Sequence, residues 1–413
     1  MQSVKAKLRA LNRQAGAGTP NRENKFDQTN VAALGVSVVQ NEYGSCLLRE
    51  KRFPLDFQHG GHILAEYLNL RNQDFAYVNK KECAAEIHPR DFIFFDTETT
   101  GLAGGSGTYI FLCGLGYFEQ DCFVLKQFLL YDFQNESAFL FEILNLFVKF
   151  AGIISFNGKS YDLYLLKTRL ILNKMKAALD AFEHIDLLHA SRRFWKKSIG
   201  ECNLANIEKR ILGFARQNDV PGSNIPQMYF DFVRSGDFER LTPVFKHNAI
   251  DILSMVSLVV VCATLFQAQK HTDRGADEHA IFRTFAKLKQ YGNIMTMMQE
   301  SIDSKDAALL LEFSYLLKRL GKLQEAVAIW RHLASRSVFI EDAYWELAKY
   351  YEHKAVNYSN ALEIIERTLK RAEIRSALAT SAVPALNRDW RHRKNRIMRK
   401  LSQEKQTRIE TTN

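Results

Sequence analysis

The chain has 413 residues, 46% hydrophobic and 25% charged, with a net charge of +10. That is room for two or three domains with cores of their own, in the composition of an ordinary globular protein. The six cysteines, at positions 46, 83, 113, 122, 202 and 262, form no Cys-x-x-Cys pair and no regular framework. Their pattern speaks against disulfides and a zinc site and for reduced thiols.

The polar, basic N-terminus carries no apolar run of a secretory signal, and the most apolar helix, Leu253 to Phe266, reads as too short and interrupted to span a bilayer. The expectation is a cytoplasmic protein without a membrane partner. Nine Lys/Arg against two acidic residues between Arg388 and Arg408 supply most of the net charge. With Trp390, that tail reads either as a phosphate-binding arm or as a solvated basic tail.

Residues 1–30 read as a mobile basic segment, and 31–90 as an extension with strands at Ala32–Gln40 and Ser45–Glu50 and a helical patch after Gly61. His59 and His62 flank two glycines, so they read as structural or substrate-contacting rather than as a metal pair. Next comes Phe92-Ile93-Phe94-Phe95-Asp96-Thr97-Glu98, an apolar strand with two carboxylates leaving one face at its exit. Such a pair suits Mg²⁺ or Mn²⁺; a turn with solvated acids is the other reading of the pair alone.

The run Gly104-Gly105-Ser106-Gly107-Thr108 lacks a following Gly-Lys-Ser/Thr and helix, so it is a bend between strands rather than a nucleotide phosphate loop. Gly105 and Thr108 are candidates for contact with substrate. Strands at Tyr109–Tyr117 and Cys122–Tyr131, a helix at Glu136–Phe150, a strand at Gly152–Phe156 and a helix at Leu163–Asn173 follow. Their order is that of an RNase H-like α/β fold, a mixed sheet with flanking helices. Asp162 opens the last of these helices, where a structural cap is the competing reading.

His184–Leu188 reads as extended. Arg192, Arg193, Trp195, Lys196 and Lys197 form a basic, aromatic cluster suited to a nucleic-acid backbone and a stacked base, or to a solvated helix face. A helix from Thr242 to about Phe266 carries His247 and Asp251, four apart and hence on one face.

Asp96, Glu98, Asp162 and Asp251, in that order on those elements, resemble the DEDD exonucleases, the proofreading branch of the RNase H-like superfamily. Within that group the chain is similar to the YprB-like family, on the glycine bend, Asp186-Leu187-Leu188, Arg192–Trp195, Val220-Pro221-Gly222 and His247-Asn248 with Asp251-Ile252. The likeness covers roughly residues 45–265. It implies a 3′–5′ exonuclease acting on single-stranded DNA or RNA, with the four acids holding two Mg²⁺ or Mn²⁺ ions about 4 Å apart. His247 would be general base or water-orienting residue, and Asn157 would position substrate. His247 stands four residues before Asp251, where histidine-using enzymes of this group have five. The alternative is a catalytically silent RNase H-like scaffold that binds nucleic acid or protein.

Residues 91–268 would then be the exonuclease domain. The chain from 278 to 372 reads as TPR-like helical repeats for a protein partner, and 385–413 as the basic tail. An offset of 35 aligns Leu309 with Tyr344, Tyr315 with Tyr350, Ala326 with Ala361 and Val327 with Leu362, near the period of about 34 for such repeats.

Overall fold

The structure, a computed structural model, describes residues 35–82, 86–101, 107–267, 275–299, 302, 305–378, 386 and 388–410. The chain divides into two compact units, Met1–Ile294 and Met295–Asn413. The strands are β1 (Val36–Asn41), β2 (Gly44–Pro54), β3 (Gln58–His59), β4 (His62–Ile63), β5 (Phe92–Thr99), β6 (Ile110–Phe118), β7 (Cys122–Leu129), β8 (Gly152–Ser155) and β9 (Glu183–Asp186). The helices of the first unit include α1 (Ala65–Leu68), α2 (Asn72–Asn79), α3 (Glu136–Phe147), α4 (Asp162–Leu172), α5 (Leu187–Ile199), α6 (Leu204–Ile207), α7 (Ile225–Ser235), α8 (Thr242–Thr264) and α9 (Glu278–Lys287).

Seven strands make one mixed sheet in the order β1-β2-β7-β6-β5-β8-β9, and β3 and β4 form a separate hairpin. From β1 to β5 across the sheet every pairing is antiparallel; β8 joins β5, and β9 joins β8, in parallel. This is the expected RNase H-like sheet, widened at the β7 edge by the β1–β2 hairpin. Phe92 to Phe95 and all of β6 are buried, as befits central strands with helices on their faces. The extended reading of 184–188 ends early, because the Asp186 side chain accepts from Leu188 N and caps α5. Thr242 begins α8 without capping it; Leu241 holds the cap position and Pro243 lies in the first turn.

The helix α8 lies directly on β6. A Cβ at Gly114 would stand 2.2 Å from Asn248 Oδ1, and one at Gly116 would stand 2.6 Å from Ile252 Cγ2. Two residues along a strand and four along a helix cover nearly the same distance, so the two bare positions accept two successive turns of α8. That seating turns His247 and Asp251, each one residue earlier, toward the end of β5. The stretch Phe238–Thr264 is long and apolar enough to cross a membrane by composition, although its part from Leu253 alone reads as too short and interrupted. It is 78% buried inside the protein over its most apolar window, which is how a core helix behaves.

The second unit is helical: Ala307–Arg319, Leu323–Ser335, Glu341–His353, Tyr358–Leu378 and Trp390–Glu410. The small residues Ala326 and Ala361 are both fully buried, as are Leu309 and Tyr344. The basic tail is not free for phosphate along its length. Glu352, with a fully buried side chain, takes hydrogen bonds from Arg393, Arg396 and Lys400. Those contacts hold its carboxyl down at about 2. Trp390, read with that tail, is 1% exposed, and its Nε1 donates to Glu341 at 2.9 Å.

Candidate metal centre

Asp96 and Glu98 leave the same face of β5, opposite Gly114 and Leu112 of β6. Asp96 is fixed from α8: Asn248 Nδ2 donates to its Oδ2 at 2.8 Å, and Gln127 Nε2 of β7 donates to Asn248 Oδ1 at 2.8 Å. Asn248 is fully buried, and Gly114 is the residue that leaves it room. Asp162, at the start of α4, accepts from the Thr97 hydroxyl between the two β5 acids. Asp251 accepts from Arg216 Nη2. The carboxylate oxygens of Glu98 and Asp251 and a ring nitrogen of His247 all lie within 4.8 Å of one another.

Burial pushes all four carboxyls above their ordinary range. For Asp96 and Glu98 the negative charge of Asp251 adds to that push. Asp162 reaches only about 6, because Thr97 and backbone hydrogen bonds favour its anion. Groups crowded so that they resist ionising are what a divalent cation relieves, and hard carboxylate oxygens suit Mg²⁺ or Mn²⁺. Among the described residues, no hydrogen-bond donor reaches the Glu98 carboxylate. The donor set therefore fits such an ion.

The residues that brace this site are the ones the sequence did not disclose. Arg216, between α6 and α7, donates to Glu208 at 2.6 and 2.7 Å, to Asp219 at 2.9 Å and to Asp251. Burial disfavours its charge, and the three carboxylates more than restore it. His247 Nδ1 lies 3.0 and 2.9 Å from the two Asp219 oxygens. Behind Glu208, Ser254 of α8 donates at 2.6 Å, and His59 lies 2.8 Å from the Ser254 hydroxyl. Burial and the charge of Arg216 hold His59 neutral, down at about 4. Gly60, at φ +62°, brings the hairpin against the Leu212 carbonyl, which accepts from Gly61 N at 3.0 Å. His59 is thus a prop for the Arg216 loop.

Several expected substrate contacts are corrected. Trp195 is fully buried on the inner face of α5 and cannot stack on a base. Arg193 donates to the carbonyls of Tyr77 and Val78 at the end of α2 (3.3 and 2.6 Å), a structural staple. Arg192 is exposed on the same helix. Asp186 anchors the loop before α4, accepting from the backbone of Asn157 and Lys159, and its charge adds to the push on Asp162. Asn157 is exposed there with φ +66°, and Thr108 is buried. Gly105 lies outside the described residues. An apolar cleft of about 640 Å³ at Phe141, Phe147 and Met175 is lined by none of the four acids.

Fold and site define a class. A model of the RNase H superfamily matches residues 93–263, a nuclease-type domain whose function concerns nucleic acid. The chain is also similar to the uncharacterized protein YprB of Bacillus subtilis (strain 168), 33% identical over 369 residues that cover 85% of this chain and 88% of that one. It belongs to the family of that protein.

Proposed function

We propose that the chain is a metal-dependent 3′–5′ exonuclease that hydrolyses phosphodiester bonds of single-stranded DNA or RNA. The observation that carries this reading is the convergence of Asp96, Glu98, Asp162 and Asp251 at the end of β5, each pushed by burial to resist ionisation. These four carboxylates would hold two Mg²⁺ or Mn²⁺ ions. Bound there, such ions activate a water and stabilise the leaving 3′-oxygen. The chain's own part is orientation: Asn248 fixes Asp96, Thr97 fixes Asp162 and Arg216 fixes one oxygen of Asp251. Asn157 and Arg192, both exposed, are left to meet the substrate backbone. The helices between residues 278 and 372 would act as TPR-like repeats that dock a protein partner.

A second reading, a catalytically silent scaffold, draws on Arg216. Its guanidinium already neutralises part of the acidic cluster without any metal. Linear and circular single strands with Mg²⁺, Mn²⁺ or EDTA separate the two. The exonuclease shortens 5′-labelled linear strands from the 3′ end, only with metal, and spares circles. Cut circles would indicate an endonuclease, and strands bound but uncut would favour the scaffold.

A further inference from the structure

His247 and Asp251 are four residues apart on α8, a turn from each other on one face. The Nε2 of His247 lies 3.6 Å from Asp251 Oδ2. That is too long for a hydrogen bond. It suits two ligands of one ion: donors each about 2.1 Å from a cation stand roughly 3 Å apart when adjacent and 4.2 Å apart when opposite. Glu98 supplies a third donor in the same space.

The other ring nitrogen decides which way the imidazole serves. Nδ1 faces both oxygens of Asp219, which can only accept, so Nδ1 carries the proton and the Nε2 lone pair faces Glu98 and Asp251. Arg216 Nη1 also approaches Nδ1, at 3.3 Å, but this is the longer contact. Arg216 instead braces Asp219 at 2.9 Å and occupies Asp251 Oδ1, leaving Oδ2 open toward His247. A carboxylate holding the outer nitrogen of a histidine whose inner nitrogen faces two carboxylates is the outer shell of a metal-bound imidazole.

We infer that His247 Nε2 is a direct ligand, with Glu98 and Asp251, of one divalent ion, and that Asp219, braced by Arg216, is the positioning residue that aims it. This replaces the general base that the titration range of histidine suggests, and it rests on the metal-site reading above. One nitrogen among carboxylate oxygens makes the position favour Mn²⁺ and similar first-row ions over Mg²⁺.

The test is pulsed electron paramagnetic resonance of Mn²⁺ bound to the full chain, with Mn²⁺ and Mg²⁺ affinities measured by calorimetry. The wild type should show a directly coordinated ¹⁴N, and His247→Gln should lose it. Mn²⁺ affinity should fall about 10- to 100-fold in His247→Gln and about 10-fold in Asp219→Asn, with Mg²⁺ affinity nearly unchanged. Mn²⁺ bound without nitrogen coupling, at equal affinity in wild type and His247→Gln, would overturn the inference and leave the nuclease reading standing. No Mn²⁺ or Mg²⁺ binding at all, together with no cleavage, would overturn both. The wild-type spectrum decides even if a variant fails to fold.

Discussion

Replacing Gly114 with alanine tests how α8 is seated. The new Cβ would stand 2.2 Å from Asn248 Oδ1 and 2.8 Å from its Cγ and Nδ2, well inside ordinary contact. The amide cannot swing aside freely, because it is fully buried, accepts from Gln127 and donates to Asp96. Either the helix lifts from β6 or the amide gives up its partners. Overpacking costs about 1–3 kcal/mol, and a buried polar group left unpaired costs about 1–3 kcal/mol more. A loss of about 2–6 kcal/mol in all lowers the melting midpoint by roughly 4–24 °C. Asn248→Ala removes the obstacle, so the double variant should be little worse than Asn248→Ala alone, a coupling close to the whole cost of Gly114→Ala. Urea unfolding of all four proteins measures it. A cost under about 0.5 kcal/mol for Gly114→Ala, or strictly additive costs, would refute the seating described here.

Three further outcomes are expected. Glu352→Gln leaves Arg393, Arg396 and Lys400 facing a neutral group, at a cost of about 1–3 kcal/mol because Arg396 and Lys400 keep part of their hydration; trypsin should then cut the helix Trp390–Glu410 faster, and unchanged protection would contradict the role of Glu352. Trp195→Ala should destabilise the first unit by about 3–5 kcal/mol, seen by thermal melting, whereas exposed Arg192→Ala should melt as wild type; a stable Trp195→Ala that loses oligonucleotide binding would restore the stacking role. In EDTA the raised carboxyls hold protons that the unfolded chain has released, so they weaken the fold as pH rises from about 4 through 6 and beyond. Mn²⁺ relieves that repulsion, so the gap between Mn²⁺ and EDTA melting midpoints should widen from pH 5 to pH 8. The gap is the readout because His59 and His184, both pushed down to about 4 by burial, titrate on either side of the comparison. A gap that narrows toward pH 8 would count against the cluster.

The sheet and its four acids were legible because their signals are local. An apolar run ending in Asp-x-Glu, and a His and Asp four apart on an apolar helix, carry their own periodicity. Arg216 was not legible. It sits in the polar stretch Arg216-Gln217-Asn218-Asp219, and only tertiary contacts across 35 residues join it to Asp251. The misreading of Trp195 was avoidable. Leu187, Leu188, Ser191, Phe194 and Trp195 recur at helical spacing and are all buried, while Arg192, Lys196 and Lys197 on the same helix are exposed. Basic composition alone suggested a nucleic-acid surface where half of the helix is core.

The central claim, that the acids at the end of β5 form a divalent-cation site, is tested most directly by unfolding the full chain with and without Mn²⁺, as wild type and as Asp251→Asn. An ion that binds only the folded state adds about 2.7 kcal/mol at a hundred times its Kd. Stabilisation of that size in the wild type, reversed by EDTA and largely lost in Asp251→Asn, is the predicted result. No stabilisation, or the same stabilisation in both proteins, would contradict it.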